Sequence, residues 1–307
     1  MVSIKSIGYV TAACAAFSLC GCPRALPPSV SVQDNTIELV RAALEEGVST
    51  GGAGAGGIAA ALPDPTGWAT LSGTFKINGA PPANSPLNVD KDVEVCAPGG
   101  KQVLDNIVLV GPDGGLQNVL VYVSSSIPSD NPAWIHESYA AVRSGEVIFD
   151  QKNCIFLDRV GVMWATQTLR VLNSDPVGHN TNLDSKRGAT GANITIPANG
   201  SAPYVPGAAS PAPFPVSCSI HPWMKASMMV CDSPYFAVTD ANGTFSIANV
   251  PAGVELEYRV WHEKSGYIQA VKVGGTSENW SKGKFKRELP AGEDVKLDVV
   301  IDASVFQ

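Results

Sequence analysis

The sequence predicts an all-β protein built from β-sandwiches, on three observations. After residue 67 the chain breaks into short runs of alternating apolar and polar residues, separated by Gly, Pro and Asn turns. Gly (30) and Pro (23) are plentiful while charged residues make up only 16%, which suits many strands and tight turns better than helical bundles. The 307 residues leave room for two modest domains and a sizeable core.

The first segment reads as an address. Lys5 supplies a weak positive start, and Ile7 to Leu19 is an apolar run too short to span a bilayer as a stable helix. It ends in Leu19-Cys20-Gly21-Cys22, which resembles a bacterial lipobox. The resemblance implies a lipoprotein signal peptide over 1–22, with Cys22 as the first mature residue and the site of lipidation. Cys20 is a poorer acceptor because Leu19 precedes it. A plain secretory signal is the alternative, and either one implies export to the cell envelope or periplasm. Residues 23–66 then read as a tether. Ile37 to Glu46 predicts a short helix, and Ser49 to Gly57 is almost all Gly, Ala and Ser.

Residues 67–145 open with Trp68-Ala-Thr-Leu-Ser-Gly-Thr-Phe-Lys-Ile77, a strand by its alternation, stopped by the turn dipeptide Asn78-Gly79. Asn106 to Val110 and Leu116 to Val123 predict two further strands, forming a hairpin around Gly111-Pro-Asp-Gly-Gly115. Gly73-x-Phe75…Asn78-Gly79-x-Pro81 and Gly115-Leu-Gln-Asn-Val-Leu-Val-Tyr122 resemble transthyretin-like, carboxypeptidase-regulatory-type modules. A second hallmark of those modules stands far downstream, in Thr239-Asp-Ala-Asn-Gly243-Thr-Phe-Ser-Ile247 and Val250-Pro-Ala-Gly253. Glu255 to Trp261 alternates as the next strand. Residues 236–307 are therefore either the second half of one sandwich begun at 67–145 or a separate appendage; both arrangements stay open.

Residues 146–235 lie between. Gln167 to Asn173 predicts a strand leading to His179, and Asn193 to Pro197 and Tyr204 predict strand pieces. Gly200 to Pro215, rich in Pro, Ala and Ser, reads as loop with room for an edge strand. Val216 leads into Cys218-Ser-Ile-His221-Pro-Trp-Met224, and Ser227 to Val230 leads away. This loop offers a thiolate, an imidazole and a thioether within one turn, the soft donors that copper favours. A further imidazole is available from His179.

The spacing Cys-x2-His-Pro-aromatic-Met, with His179-Asn180 upstream, resembles the cupredoxins and most of all their amicyanin branch. The strand before His179 is similar to the cupredoxin one, although Ala165-Thr166 stands where that family has Gly. The resemblance implies a Greek-key cupredoxin-like β-sandwich beside the smaller transthyretin-like one. It implies one type-1 copper ion, with His179, Cys218 and His221 in a trigonal plane and Met224 on the axis. It also implies that Asn180 braces the loop near Ser219. Pro222 removes a backbone donor and stiffens the turn, and Trp223 is expected to line the surface around an exposed edge of His221, where an electron would leave.

Plainer readings stand beside these. Met224 alone reads as core filling, His179 as a loop histidine, and Cys218 as half of a disulfide. Once Cys14, Cys20 and Cys22 are set aside, Cys96, Cys154, Cys218 and Cys231 remain. Four can form two disulfides, which would consume the thiolate. With Cys218 on copper, one of the other three stays unpaired, and Cys231 after Met228-Met-Val230 is the candidate. His136 and His262 carry no ligand spacing and read as structural.

The net charge of −7 supplies no basic footprint for nucleic acid; it suits a basic redox partner or ordinary solubility. There is no Gly-x-Ser-x-Gly elbow, phosphate loop or His-Glu-x-x-His, and four histidines are too few for a multicopper oxidase. The expectation is a lipid-anchored one-electron carrier, not an enzyme, serving an exported redox protein such as a cytochrome or dehydrogenase. The alternatives are a metal-free structural or binding lipoprotein of the envelope, and a copper storage or delivery protein.

Overall fold

A computed structural model of the protein describes residues 62–307. Cys22, the helix expected at 37–46 and the tether at 49–57 lie outside the described residues. No helix among the described residues is long and apolar enough to cross a membrane.

The described chain is almost entirely strands and turns. Two strands come first, β1 (Gly67–Asn78) and β2 (Leu120–Val123). Nine follow within one stretch: β3 (Glu146–Lys152), β4 (Ile155–Phe156), β5 (Val160–Trp164), β6 (Thr168–Asn173), β7 (His179–Leu183), β8 (Ala192–Ile196), β9 (Ser201–Tyr204), β10 (Phe214–Ser217) and β11 (Lys225–Cys231). The last nine are β12 (Phe236–Val238), β13 (Thr244–Ala252), β14 (Glu255–His262), β15 (Gly266–Tyr267), β16 (Ala270–Val273), β17 (Thr276–Asn279), β18 (Lys284–Glu288), β19 (Asp294–Lys296) and β20 (Val299–Asp302).

The outer sandwich draws on both ends of the described chain. One sheet runs β13-β1-β20-β16-β17, with β19 also on β1, and the other runs β12-β2-β14-β15, with β18 on β14. Alternation explains the shared core: β1 sends Leu71 and Phe75 inward, and β14 sends Leu256, Tyr258 and Val260 to meet them. The middle strands form the inner sandwich, with sheets β5-β11-β10-β7-β8 and β4-β3-β6-β9. Its core holds Phe149, Met163, Leu169, Val171, Val216 and Met228. A small apolar cluster of Leu120, Tyr122, Val160, Met229 and Cys231 joins the two sandwiches, reinforced by the Arg159–Glu263 ion pair.

Two local results differ from the sequence reading. Asn106 to Val110 is not a strand, and Leu116 to Val123 is one only over Leu120–Val123. Asn106 and Asn118 take positive φ (48° and 62°), which interrupts an extended run. The pairing around Gly111–Gly115 shrinks to a single bridge between Val110 and Leu116. This loop packs backbone to backbone on the turn at 241–243: a Cβ on Gly111 would stand 1.8 Å from the Ala241 carbonyl oxygen, and one on Gly115 2.1 Å from that of Asn242.

The second result bears on function. The chain between β1 and β2 does not stay on the outer sandwich. Val89, Val95 and Cys96 pack on the inner core, and Cys96 is bonded to Cys154. Cys154 sits with Asn153 in a two-residue turn between β3 and β4, where Lys152 pairs Ile155. Both turn residues have positive φ (54° and 53°), the backbone a type I′ hairpin demands.

Candidate metal centre

Two loops meet at one end of the inner sandwich. His179 opens β7 and pairs with Ile196 of β8. Cys218 follows β10, and β11 starts just after Met224. The 218–224 loop closes on itself, with Met224 N–H donating to the His221 carbonyl at 2.9 Å and Cys218 N–H to the Met224 carbonyl at 3.3 Å. Pro222 and Trp223 form the tip of that turn. β10 pairs with both β7 and β11, so the sheet register brings the two loops together.

His179, Cys218 and His221 converge. The two imidazole Nδ1 atoms are 2.9 Å apart, and Cys218 Sγ lies 4.0 Å from His221 Nδ1. One donor atom from each of the three falls within 4.8 Å of the others. Two metal–ligand bonds to nitrogen or sulfur together span about 4 Å, so one ion fits among them. Both rings are fully buried. Met224 is buried in the same core as Cys218.

The thiol is prepared for ionisation. Backbone N–H groups of His221 and Asn180 point at Sγ from 3.4 and 3.5 Å. Burial alone pushes the Cys218 thiol up, but hydrogen bonds from His179 and from the backbone of Asn180, His221 and Ile220 outweigh it and hold the group below the ordinary thiol value. Asn180 holds the loop: its Oδ1 accepts from Ser219 N–H at 2.7 Å and from Ile220 N–H at 3.2 Å, while its Nδ2 donates to Asn193 Oδ1 at 2.6 Å.

Two carboxylates, neither singled out in the sequence, complete the arrangement. His179 Nε2 is 2.8 Å from Asp175 Oδ2. Asp175 is itself buried and also accepts from the backbone N–H of Asn153 (2.7 Å) and Cys154 (2.8 Å). His221 Nε2 is 2.8 Å from Asp92 Oδ2. A carboxylate on Nε2 holds a proton there, so that Nδ1 is the nitrogen turned to the centre. Burial lowers the His179 imidazole, but Cys218 and Asp175 outweigh it and raise it overall. For His221 burial wins over Asp92, and the group lies below the usual histidine value. Asp175 had a faint signal, four residues before His179 in the same loop. Asp92, 129 residues from its partner, had none.

The exposed edge expected for His221 does not exist. Its ring is covered by Asp92 on one side and by Trp223, whose ring centroid stands 5.2 Å away. Trp223 donates its indole N–H to the Cys154 carbonyl at 3.2 Å, so it faces the hairpin tip. The burial arises because the β1–β2 connection crosses onto this end of the inner sandwich.

Among the described residues Cys218 and Cys231 are unpaired and buried. The reading in which Cys218 is locked in a disulfide therefore fails, because Cys96 and Cys154 take each other. Their sulfurs lie within 4.8 Å of a His221 nitrogen, but a disulfide offers no thiolate. His136 and His262 sit in the outer part, away from the centre: His136 faces Trp68 and His262 faces Phe306.

The donor set, two imidazoles with their outer nitrogens tied and a thiol held toward its anion, matches the chemistry of a copper site. No protein-family model matches the chain, and no curated protein does. Among solved structures, part of the chain is similar to a copper-containing nitrite reductase from Thermus scotoductus SA-01, at 18% identity over 28% of this chain and 22% of that one, with a TM-score of 0.26. A mutant of amicyanin in its Cu(I) form is similar at 14% identity over 34% of this chain and 97% of its own, with a TM-score of 0.25. A purple cupredoxin from Nitrosopumilus maritimus is similar at 16% identity over 29% of this chain and 100% of its own, with a TM-score of 0.23.

Proposed function

We propose that the protein holds one copper ion as a type-1 centre and carries one electron at a time, as a carrier and not an enzyme. His179, Cys218 and His221 would hold the ion, with Met224 from the same loop as a further soft donor. The observation that carries this reading is the buried convergence of two Nδ1 atoms and an unpaired thiol held below the ordinary thiol value. Copper, when bound, supplies the change of oxidation state.

The rest falls to the chain. Asn180 and the two loop-closing hydrogen bonds keep the donors in place whether or not an electron is present. Little rearrangement then accompanies transfer, which keeps transfer fast. Burial excludes water from the donors. The partner is an exported redox protein, a cytochrome or a dehydrogenase. A lipid anchor at Cys22 would hold the carrier at a membrane of the cell envelope while leaving the domain free to meet that partner.

The test is to load the protein with Cu(II), record its visible and electron paramagnetic resonance spectra, and cycle it electrochemically. An intense copper–thiolate band with reversible one-electron reduction supports the proposal. A colourless Cu(II) form, or no uptake, overturns it. Tightly bound Cu(I) that does not cycle identifies a storage or delivery protein using the same ligands.

A further inference from the structure

Asp92 comes from far outside the ligand loops, and its position is held by three separate devices. It sits in the chain between β1 and β2 of the outer sandwich. It precedes the single-turn helix Val93–Cys96 and takes the left-handed conformation, φ 48° and ψ 39°. Val95 and Cys96 donate their backbone N–H groups to its carbonyl, each at 2.9 Å. Cys96 at the end of that turn is bonded to Cys154, whose own N–H donates to Asp175 and whose carbonyl accepts from Trp223. The Asp92 carboxylate thus arrives at His221 Nε2 from a stapled turn, and the His221 ring has no exposed surface.

We propose that Asp92 is a positioning residue for the metal centre. It fixes His221 in the tautomer with bare Nδ1, strengthens that nitrogen as a donor, lowers the reduction potential of bound copper, and closes the imidazole edge to solvent. This deepens the function proposed above and rests on it. The physical basis is twofold. A carboxylate accepting from Nε2–H raises the basicity of the ligating nitrogen, and its negative charge favours the more highly charged Cu(II) over Cu(I). Since Asp175 does the same for His179, both imidazoles carry a carboxylate. Asp92 alone belongs to a segment added from another sandwich.

Asp92→Asn is the discriminating variant, because Asn tolerates the left-handed backbone as Asp does and removes only the charge. Its Cu(II) affinity is expected to fall about 10- to 100-fold, with a smaller change for Cu(I). Each tenfold shift in that ratio raises the reduction potential by about 59 mV. In metal-free protein, imidazole 15N shifts should show His221 as the Nε2–H tautomer, and a mixture of tautomers in the variant. Asp92→Gly, which removes the cover, should make His221 react with diethyl pyrocarbonate at least tenfold faster in metal-free protein, on the order of a buried group becoming exposed.

An unchanged potential and unchanged tautomer in Asp92→Asn, with the copper–thiolate band intact, overturn the role of Asp92 and leave the electron carrier standing. His221 equally reactive in the unaltered chain and in Asp92→Gly overturns the cover. An unaltered chain that forms no copper–thiolate band overturns both the carrier and the positioning role of Asp92.

Discussion

Each sandwich buries a histidine at the end of a strand, and the two ends treat it in opposite ways. His262 closes β14 of the outer sandwich against Phe306, with ring centroids 5.1 Å apart. Its Nδ1 accepts from Lys264 N–H at 3.1 Å, and its Nε2 has no partner. Burial and the nearby positive charge of Arg159 push its pKa down to about 4, so it stays neutral and inert. His179 opens β7 of the inner sandwich, equally buried, yet Asp175 holds one nitrogen and the other faces His221 Nδ1 at 2.9 Å. The cysteines repeat the contrast. Cys231 lies in an apolar setting that raises its thiol well above the usual value, whereas the donors around Cys218 lower it. Depth alone does not make a ligand. Aimed donors and acceptors around a buried group decide whether it can meet a metal.

The sharpest way to break that comparison is to exchange the sulfurs. Cys218→Ser should abolish the copper–thiolate absorption entirely, while Cys231→Ser should leave it unchanged. A band that survives the first change, or vanishes with the second, would show the assignment to be misplaced. Next is the carboxylate that distinguishes His179 from His262. Asp175→Ala should lower stability to denaturant by about 3–5 kcal/mol, as expected when one partner of a buried charged network is removed. It should also weaken copper binding about 10- to 100-fold. A loss of stability with unchanged metal affinity would reduce Asp175 to a structural brace.

The neutral histidine of the outer sandwich gives the third test. The unfolded chain protonates this residue near pH 6.5 and the folded chain only near about 4. The unfolded state therefore binds more protons between those values. Stability contributed by keeping His262 neutral is complete above pH 6.5 and falls as the pH drops through the window, by about 3 kcal/mol at most. His262→Leu should remove that part of the slope, measured as the difference between the two chains in urea. Equal slopes would mean that His262 has a route to solvent.

The smallest effect belongs to Met224. Met224→Leu conserves volume and should cost less than about 1.5 kcal/mol of stability, keep the copper–thiolate band, and move the reduction potential. An unchanged potential would remove Met224 from the proposed ligand set.

The sequence carried the strands well where one face is buried. β1, β6 and β14 follow from alternation because a one-residue slip would turn every core side chain outward. It also pointed to the 218–224 loop, since Cys218, His221 and Met224 are close together in the chain. Contacts set by the path of the chain in space were not legible. The alternation at 106–110 and 116–119 looked like a hairpin, but two positive-φ asparagines and a backbone-to-backbone contact with the 241–243 turn override it. Parity of four cysteines did not say which pair forms. Asp92 left no trace either, because its meaning depends on a connection from one sandwich reaching the end of the other.

The two-residue turn Asn153–Cys154 receives the disulfide, the Asp175 carboxylate and the Trp223 indole at once. The disulfide therefore also decides how many thiols stay free beside the His221 ring. Oxidation must join Cys96 to Cys154 and spare Cys218, a third thiol only 4.0 Å from the same His221 ring. Metal arriving before that bond forms would meet three competing thiols; metal arriving after it would meet one.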